Sequence, residues 1–171
     1  MKTMRILLIL LALLVSGCGY HVPGSSDSWV GGDARLVYVQ LFENMTAEPY
    51  LDNYMSDALV EELSRSRLFE LTEKVEAAEV LIGGTVDGFT SNAISYSSSD
   101  RITDYRATMN ITVRVLDNGN DQVMWQEKMR RSEDYSAAVN KNLQLAGERL
   151  AARQVAKRLA EDTRAQLLNN F

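Results

Sequence analysis

The sequence predicts an α+β domain: a mostly antiparallel or mixed sheet of four to five strands, with two amphipathic helices packed on one face. Three features predict it. In the first, Tyr105, Ala107, Met109, Ile111, Val113 and Val115 alternate with Arg106, Thr108, Asn110, Thr112 and Arg114. Period-two alternation over that length is a strand with one face in a core and one face polar. In the second, Asp117-Asn118-Gly119-Asn120-Asp121 supplies a tight turn, and Val123, Trp125 and Met129 return on one face. Tyr105–Arg131 is therefore an antiparallel hairpin. In the third, two segments repeat apolar residues at helical spacing: Leu51, Met55, Ala58, Leu59 and Leu63, then Leu145, Ala152, Ala156, Leu159, Thr163 and Leu167. Two one-sided helices and one sheet bury their apolar surfaces most economically with both helices on one sheet face. The other face is left polar and open.

The remaining elements follow in chain order. Arg35–Phe42 is rich in β-branched and aromatic residues and reads as a buried strand. Glu43–Pro49 breaks it, and Pro49 suits the first turn of a helix that runs to Arg65–Arg67. Leu68–Thr72 is a short strand, Glu73–Glu79 a charged connection, and Val80–Phe89 a longer strand carrying Gly83, Gly84 and Gly88. Glycine inside a strand marks a bulge or a close approach. A phosphate-cradling loop would need a Gly-Lys-Ser/Thr ending, which does not follow. Ser91–Ile102 is serine-rich and reads as a mobile loop, and Ser132–Asn142 as a connection or helix start. Leu143–Leu168 favours helix, with Leu143 and Leu150 off its stripe. Either that helix bends or these two residues touch something other than the sheet.

Ahead of this body lies a leader. Lys2 and Arg5 precede an unbroken apolar run, Ile6–Val15, and Ser16-Gly17 lead to Cys18, the one cysteine of 171 residues. Charged head, short apolar middle and small-residue exit are the layout of a signal peptide, too short to span a bilayer comfortably. Residues 1–17 are thus a signal peptide, 18–33 a flexible tether and 34–171 a single domain. Val15-Ser16-Gly17-Cys18 resembles a lipobox, which implies that Cys18 becomes an acylated first residue. Several acyl chains anchor far better than one. Gly19 stands where an inner-membrane lipoprotein commonly has aspartate, so the resemblance implies the periplasmic side of the outer membrane.

Composition excludes several classes. The net charge is −5, and loss of Lys2 and Arg5 makes the mature chain more acidic still. That argues against a nucleic-acid binder. A lone cysteine excludes an internal disulfide, and one histidine (His21, read as incidental) beside that cysteine builds no metal site. With no nucleophile elbow either, the expectation is a non-enzyme without cofactor or metal. A paired-carboxylate hydrolase is the enzyme reading left open by plentiful acids.

Several segments in order resemble the LptE family of lipopolysaccharide-assembly lipoproteins. Gly17-Cys18-Gly19-Tyr20-His21 is similar to its Gly-Cys-Gly-aromatic-His start. Phe42-Glu43-Asn44-Met45-Thr46 resembles its Phe-Glu-Asn-x-Thr turn, and Ala78–Val86 its Ala-Asp-x-x-Leu-x-Gly-x-Val strand, with Glu79 for the commoner aspartate and Gly83 an added glycine. Thr103-Asp104-Tyr105-Arg106 and Val123-Met124-Trp125-Gln126 match its hairpin signatures. The resemblance implies a lipoprotein that plugs and helps assemble the LptD β-barrel and takes part in lipopolysaccharide transport. Its implied partners are that barrel, lipopolysaccharide and the outer-membrane lipid. Ala-Asp…Gly strands also occur in other envelope proteins, so a periplasmic lipoprotein that binds a secretion pore or peptidoglycan is the alternative.

Lipopolysaccharide carries phosphates, so its contacts should be Lys or Arg. Hairpin geometry brings Arg106 toward Arg130 and Arg131, with Arg101 and Lys141 entering at the same edge. These five are the expected anion contacts. Thr108, Asn110, Thr112 and Gln126, on the open sheet face, are the expected barrel interface. Arg149, Arg153, Lys157 and Arg164 read as a solvated helix edge.

Overall fold

The computed structural model describes residues 35–170; the segments expected to be signal peptide and tether, with Cys18, lie outside them. The elements are β1 (Arg35–Val39), β2 (Glu43–Asn44), α1 (Leu51–Ser64), β3 (Phe69–Leu71), β4 (Val80–Tyr96), β5 (Ile102–Asp117), β6 (Val123–Ser136) and α2 (Lys141–Asn170). They form one mixed, open sheet of order β3-β1-β4-β5-β6, with the two-residue β2 also on β4. Pairing is parallel among β1, β2, β3 and β4 and antiparallel from β4 to β6. The expected α+β architecture is present, with one strand more than the sequence reading.

The core is the alternation of β5 made solid. Ala107, Met109, Ile111, Val113 and Val115 are fully buried, and opposite them on β4 lie Val86, Ile82 and the backbone of Gly84. Leu51, Met55, Leu59 and Leu63 bring α1 onto this face, and Val155, Ala156, Leu159 and Leu167 bring α2. Both helices therefore cover one side of the sheet. The alanines of α2 (Ala151, Ala152, Ala156, Ala160) let its backbone come close. Leu145 does not join that stripe; it is exposed, as are Leu143 and Leu150.

Strand β1 stops at Val39 rather than Phe42 for a local reason. The Phe42 N–H donates to the buried Ser56 hydroxyl of α1 (2.9 Å), which itself donates to the Asp52 carbonyl (2.8 Å). Phe42 is thus held by the helix, between the Gln40 N–H bond to the Ile82 carbonyl (2.8 Å) and the pairing of β2 with β4. After β2, Asn44 makes the turn: its Oδ1 accepts from the Thr46 N–H (3.0 Å) and hydroxyl (2.8 Å), and its Nδ2 donates to the Glu48 carbonyl (2.7 Å). The Asn-x-Thr pattern is an Asx turn that aims the chain into α1. Tyr50 follows in the left-handed region, φ 69°. Asn44→Ala should lose about 1–2 kcal/mol of stability in urea unfolding, since three local bonds vanish together. A loss under a few tenths would show that the turn forms without them.

Two segments differ from expectation. Ser91–Tyr96 is not loop but the end of β4, paired with β5 through Tyr96↔Ile102, and only Ser97–Arg101 turns. Likewise Ser132–Ser136 continues β6, with Asp104↔Ser136 the last pair. Each segment is polar because it lies on an edge or an open face, so composition mimics a loop.

Candidate functional site

The open side of the sheet is the surface the helices leave bare. Register assigns its polar residues: Thr85, Thr90 and Asn92 on β4; Arg106, Thr108, Asn110, Thr112 and Arg114 on β5; Gln126, Lys128, Arg130, Ser132 and Asp134 on β6; Tyr38, Leu81 and Leu116 share the face at its β1 end. The expected interface residues Thr108, Asn110, Thr112 and Gln126 all lie on it. Thr108 and Thr112 are nevertheless buried within the polar layer. Thr108 shares a hydrogen bond with Ser132 (2.9 Å), and Thr112 donates to Asp87 (2.6 Å), which also accepts from Thr85 (2.5 Å). These two threonines knit neighbouring strands, while Asn110 and Gln126 stand outward.

The five expected cations do not share one surface. Arg106 pairs across strands with Asp134, the guanidinium donating to both carboxylate oxygens (2.6 and 2.8 Å). That hydrogen bond raises the pKa of Arg106 and holds the carboxyl of Asp134 below its ordinary value. Arg130 is opposite Asn110 on the open face, whereas Arg131 is opposite Met109 and points to the helix side. There Arg131 clamps Asp162 of α2 (2.6 and 2.9 Å), and Glu133 takes Arg158 (2.7 Å). Tyr135 completes this seam. It stacks on Tyr105 at 5.5 Å, shares a hydrogen bond with Ser91 (2.7 Å), accepts from Gln144 (3.3 Å) and abuts Gly147. Burial pushes the Tyr135 hydroxyl pKa up. Arg131 is thus part of how α2 docks.

Arg101 lies in the β4–β5 turn, where the Ser97 N–H donates to its carbonyl (2.8 Å). Lys141 opens α2. Both belong to one end of the sheet, because the Ala137 N–H donates to the Thr103 carbonyl (2.8 Å). The convergence failed on register. Strand β6 continues five residues past Arg131, so Arg130 and Arg131 fall mid-strand and on opposite faces.

Two cations that the sequence reading did not single out complete the open face. Arg114 is opposite Gln126, and Lys128 is opposite Thr112. Among the described residues, no ion pair or side-chain hydrogen bond engages Arg114, Lys128 or Arg130. The alternation already put Arg114 in phase with Thr112, and that was the available signal. On the helix side, Arg153 lies over the Tyr54 ring at 4.8 Å and Arg164 reaches the buried Glu62 (3.3 Å). Half of the line read as a solvated edge therefore joins the two helices.

Among the described residues no group of His, Cys, Asp and Glu could hold a metal ion, and no helix is long and apolar enough to cross a membrane. Similar folds occur in solved structures. Lipoprotein B from Nitrosomonas europaea aligns with 76% of this chain and 79% of its own, at 16% identity and TM-score 0.52. The rare lipoprotein B from Shewanella oneidensis covers 78% and 94% at 9% identity and TM-score 0.51. A protein from Xanthomonas campestris covers 84% and 89% at 14% identity and TM-score 0.55. At such identities the likeness is one of fold. No curated protein sequence matches the chain significantly. The LptE lipopolysaccharide-assembly family model matches residues 34–167, the whole sheet and nearly all of α2. This chain belongs to the LptE family of lipopolysaccharide-assembly proteins.

Proposed function

We propose that the chain is a non-enzymatic lipoprotein, acylated at Cys18, that plugs an outer-membrane β-barrel of the LptD kind and takes part in moving lipopolysaccharide to the cell surface. The observation that carries this reading is the two-sided sheet. One side is closed by both helices, and the other is polar from Thr85 and Arg114 onward to the β4–β5 turn, with Tyr38, Leu81 and Leu116 at its β1 end. The lumen of a transmembrane barrel is polar, so a plug needs a polar face rather than an apolar patch. The tether expected at 18–33 would hold that face at the periplasmic surface of the outer membrane.

Within that layer, Arg114, Lys128 and Arg130 have charge to spend on a phosphate, whereas Arg106 and Arg131 already hold carboxylates. Arg101 and Lys141 form a second, exposed basic pair at the turn end. Arg114→Glu, Lys128→Glu and Arg130→Glu together should weaken lipopolysaccharide binding by at least about tenfold, each charge-assisted contact being worth on the order of 1 kcal/mol. The melting temperature should hardly move. Arg131→Glu should instead lower the melting temperature, because it repels Asp162. Unchanged lipopolysaccharide affinity in the triple variant would remove the open face from the ligand path.

A further inference from the structure

We propose that the free edge of β4 from Gly88 to Ala93 is a docking site for an extended, uncharged segment of a partner protein, which adds to the sheet as a further strand. Strand β4 is long and its neighbours on one side are short. β1 pairs only with Val80–Ile82, and β2 only with Thr85 and Val86. The last bond on that side is from the Met45 N–H to the Val86 carbonyl (3.0 Å). The Asn44 turn then carries the chain away into α1. Beyond it, among the described residues, no backbone or side-chain group bonds to the outer main chain of 88–96. The other side stays regular: Gly88↔Asn110 through Ala93↔Tyr105 pair without interruption, between bulges at Val86/Gly88 and Ala93/Ser95. The result is six residues of straight, half-paired strand, a usual strand length.

The three edges of this sheet are defended unequally. Natural proteins blunt a strand edge by making it very short or by charging it. β3 is three residues long. β6 carries Lys128, Arg130, Arg131, Glu133 and Asp134. Between its flanking bulges the β4 edge has neither device. Gly88-Phe89-Thr90-Ser91-Asn92-Ala93 and the residues on to Ser99 contain no charge and no proline. An unpaired, uncharged edge is open to pairing with another chain, which a cell envelope would not tolerate unless it were normally covered.

The occupant follows from charge and size. A charge-free edge selects a charge-free strand, since main-chain bonds supply the affinity and alternate side chains the fit. Six residues extend for about 20 Å, too little for two copies of this chain to bury the roughly 1,000 Å² of a free-standing dimer. The occupant is therefore a segment of a partner already held by other contacts. The inference does not require that this partner be a barrel.

The test uses the full-length lipoprotein in its own envelope, with a photo-crosslinking amino acid at Asn92, on the β4 edge, and, in a separate protein, at Gln126, on β6 at the far side and opposite end of the open face. Adducts are mapped to peptides by mass spectrometry. The expected result is an Asn92 adduct to one uncharged, extended segment of another protein. Thr90→Lys should reduce that adduct at least about tenfold by placing a charge on the edge, without changing the melting temperature. Amide exchange of 88–93 in the full-length protein, purified away from partners in mild detergent, should be fast for the outward N–H groups. An Asn92 adduct only to a second copy or to lipid, no adduct at Asn92, or slow exchange of every one of these amides in the purified full-length protein would overturn the inference. A Gln126 adduct to a barrel with none at Asn92 would sink the edge and spare the plug. An Asn92 adduct to a non-barrel protein would do the reverse.

Discussion

Gly84→Ala should lower stability by upward of about 3 kcal/mol in urea unfolding. Gly84 is in the central strand, opposite Val113, with the Phe42 ring and the Thr112 carbonyl against its Cα. A methyl group there would overlap the Thr112 carbonyl oxygen, which is backbone of the neighbouring strand and cannot swing aside. Either the β4–β5 ladder opens or Phe42, buried and tied to α1 through Ser56, is displaced. Overpacking at backbone costs upward of about 3 kcal/mol, a large part of the roughly 5–15 kcal/mol a domain has. Gly88→Ala is the control. Its added Cβ would lie 3.2 Å from the Asn110 amide nitrogen, the movable tip of a side chain, so urea unfolding should change by less than about 1 kcal/mol. Equal stability for both variants would refute the steric account of Gly84.

The second large effect is expected where α1 meets α2. Glu62 is only 3% exposed, and its carboxylate accepts from Arg65 of its own helix and from Arg164 (3.3 Å). The two arginines are partly exposed and solvate themselves if released; the carboxylate does not. Arg65→Ala with Arg164→Ala should therefore cost about 3 kcal/mol or more, because it strands a buried charge. Adding Glu62→Leu to that pair should return most of the loss, since an apolar side chain suits the site once the charges are gone. Measured together by urea unfolding, a triple variant no better than the double would mean that the arginines act by packing alone.

The parts of the fold that were legible in sequence are those in which one residue's environment repeats with the period of its element. Strand β5 is the clearest case: every second residue reaches the same core, so pattern and burial coincide. The outer strands obey a different logic. On β6, Arg131 and Glu133 face the helix side yet are charged, because Asp162 and Arg158 on α2 answer them. No local window contains those partners, and the segment read as a connection. The same long-range pairing hid Glu62, which looks like a solvated helix acid until Arg164, about a hundred residues on, covers it.

The candidate site was half legible. Thr108, Asn110, Thr112, Arg106 and Arg114 share a face by counting alone. Arg130 and Arg131 could be assigned only from a strand end, and the register differs from the expected one by several residues. In a strand such an error does not merely slide a residue; parity decides which face it joins. That is why Arg131 turned out to hold α2, while Lys128, two residues before Arg130, joined the open face. The close approach that glycine in a strand signals is, at Gly83 and Gly84, to Gln40, Phe42 and the Thr112 backbone.

The account turns on a fat-anchored plug, and the mature protein recovered from outer membranes in mild detergent tests it most directly. Mass spectrometry of that sample reads its first residue, its acyl mass and its bound partner at once. The predicted result is an N-terminus at acylated Cys18 and one large β-barrel protein in equal amount. An N-terminus elsewhere, an unacylated Cys18, or a secretion pore or cell-wall fragment in place of the barrel would contradict it.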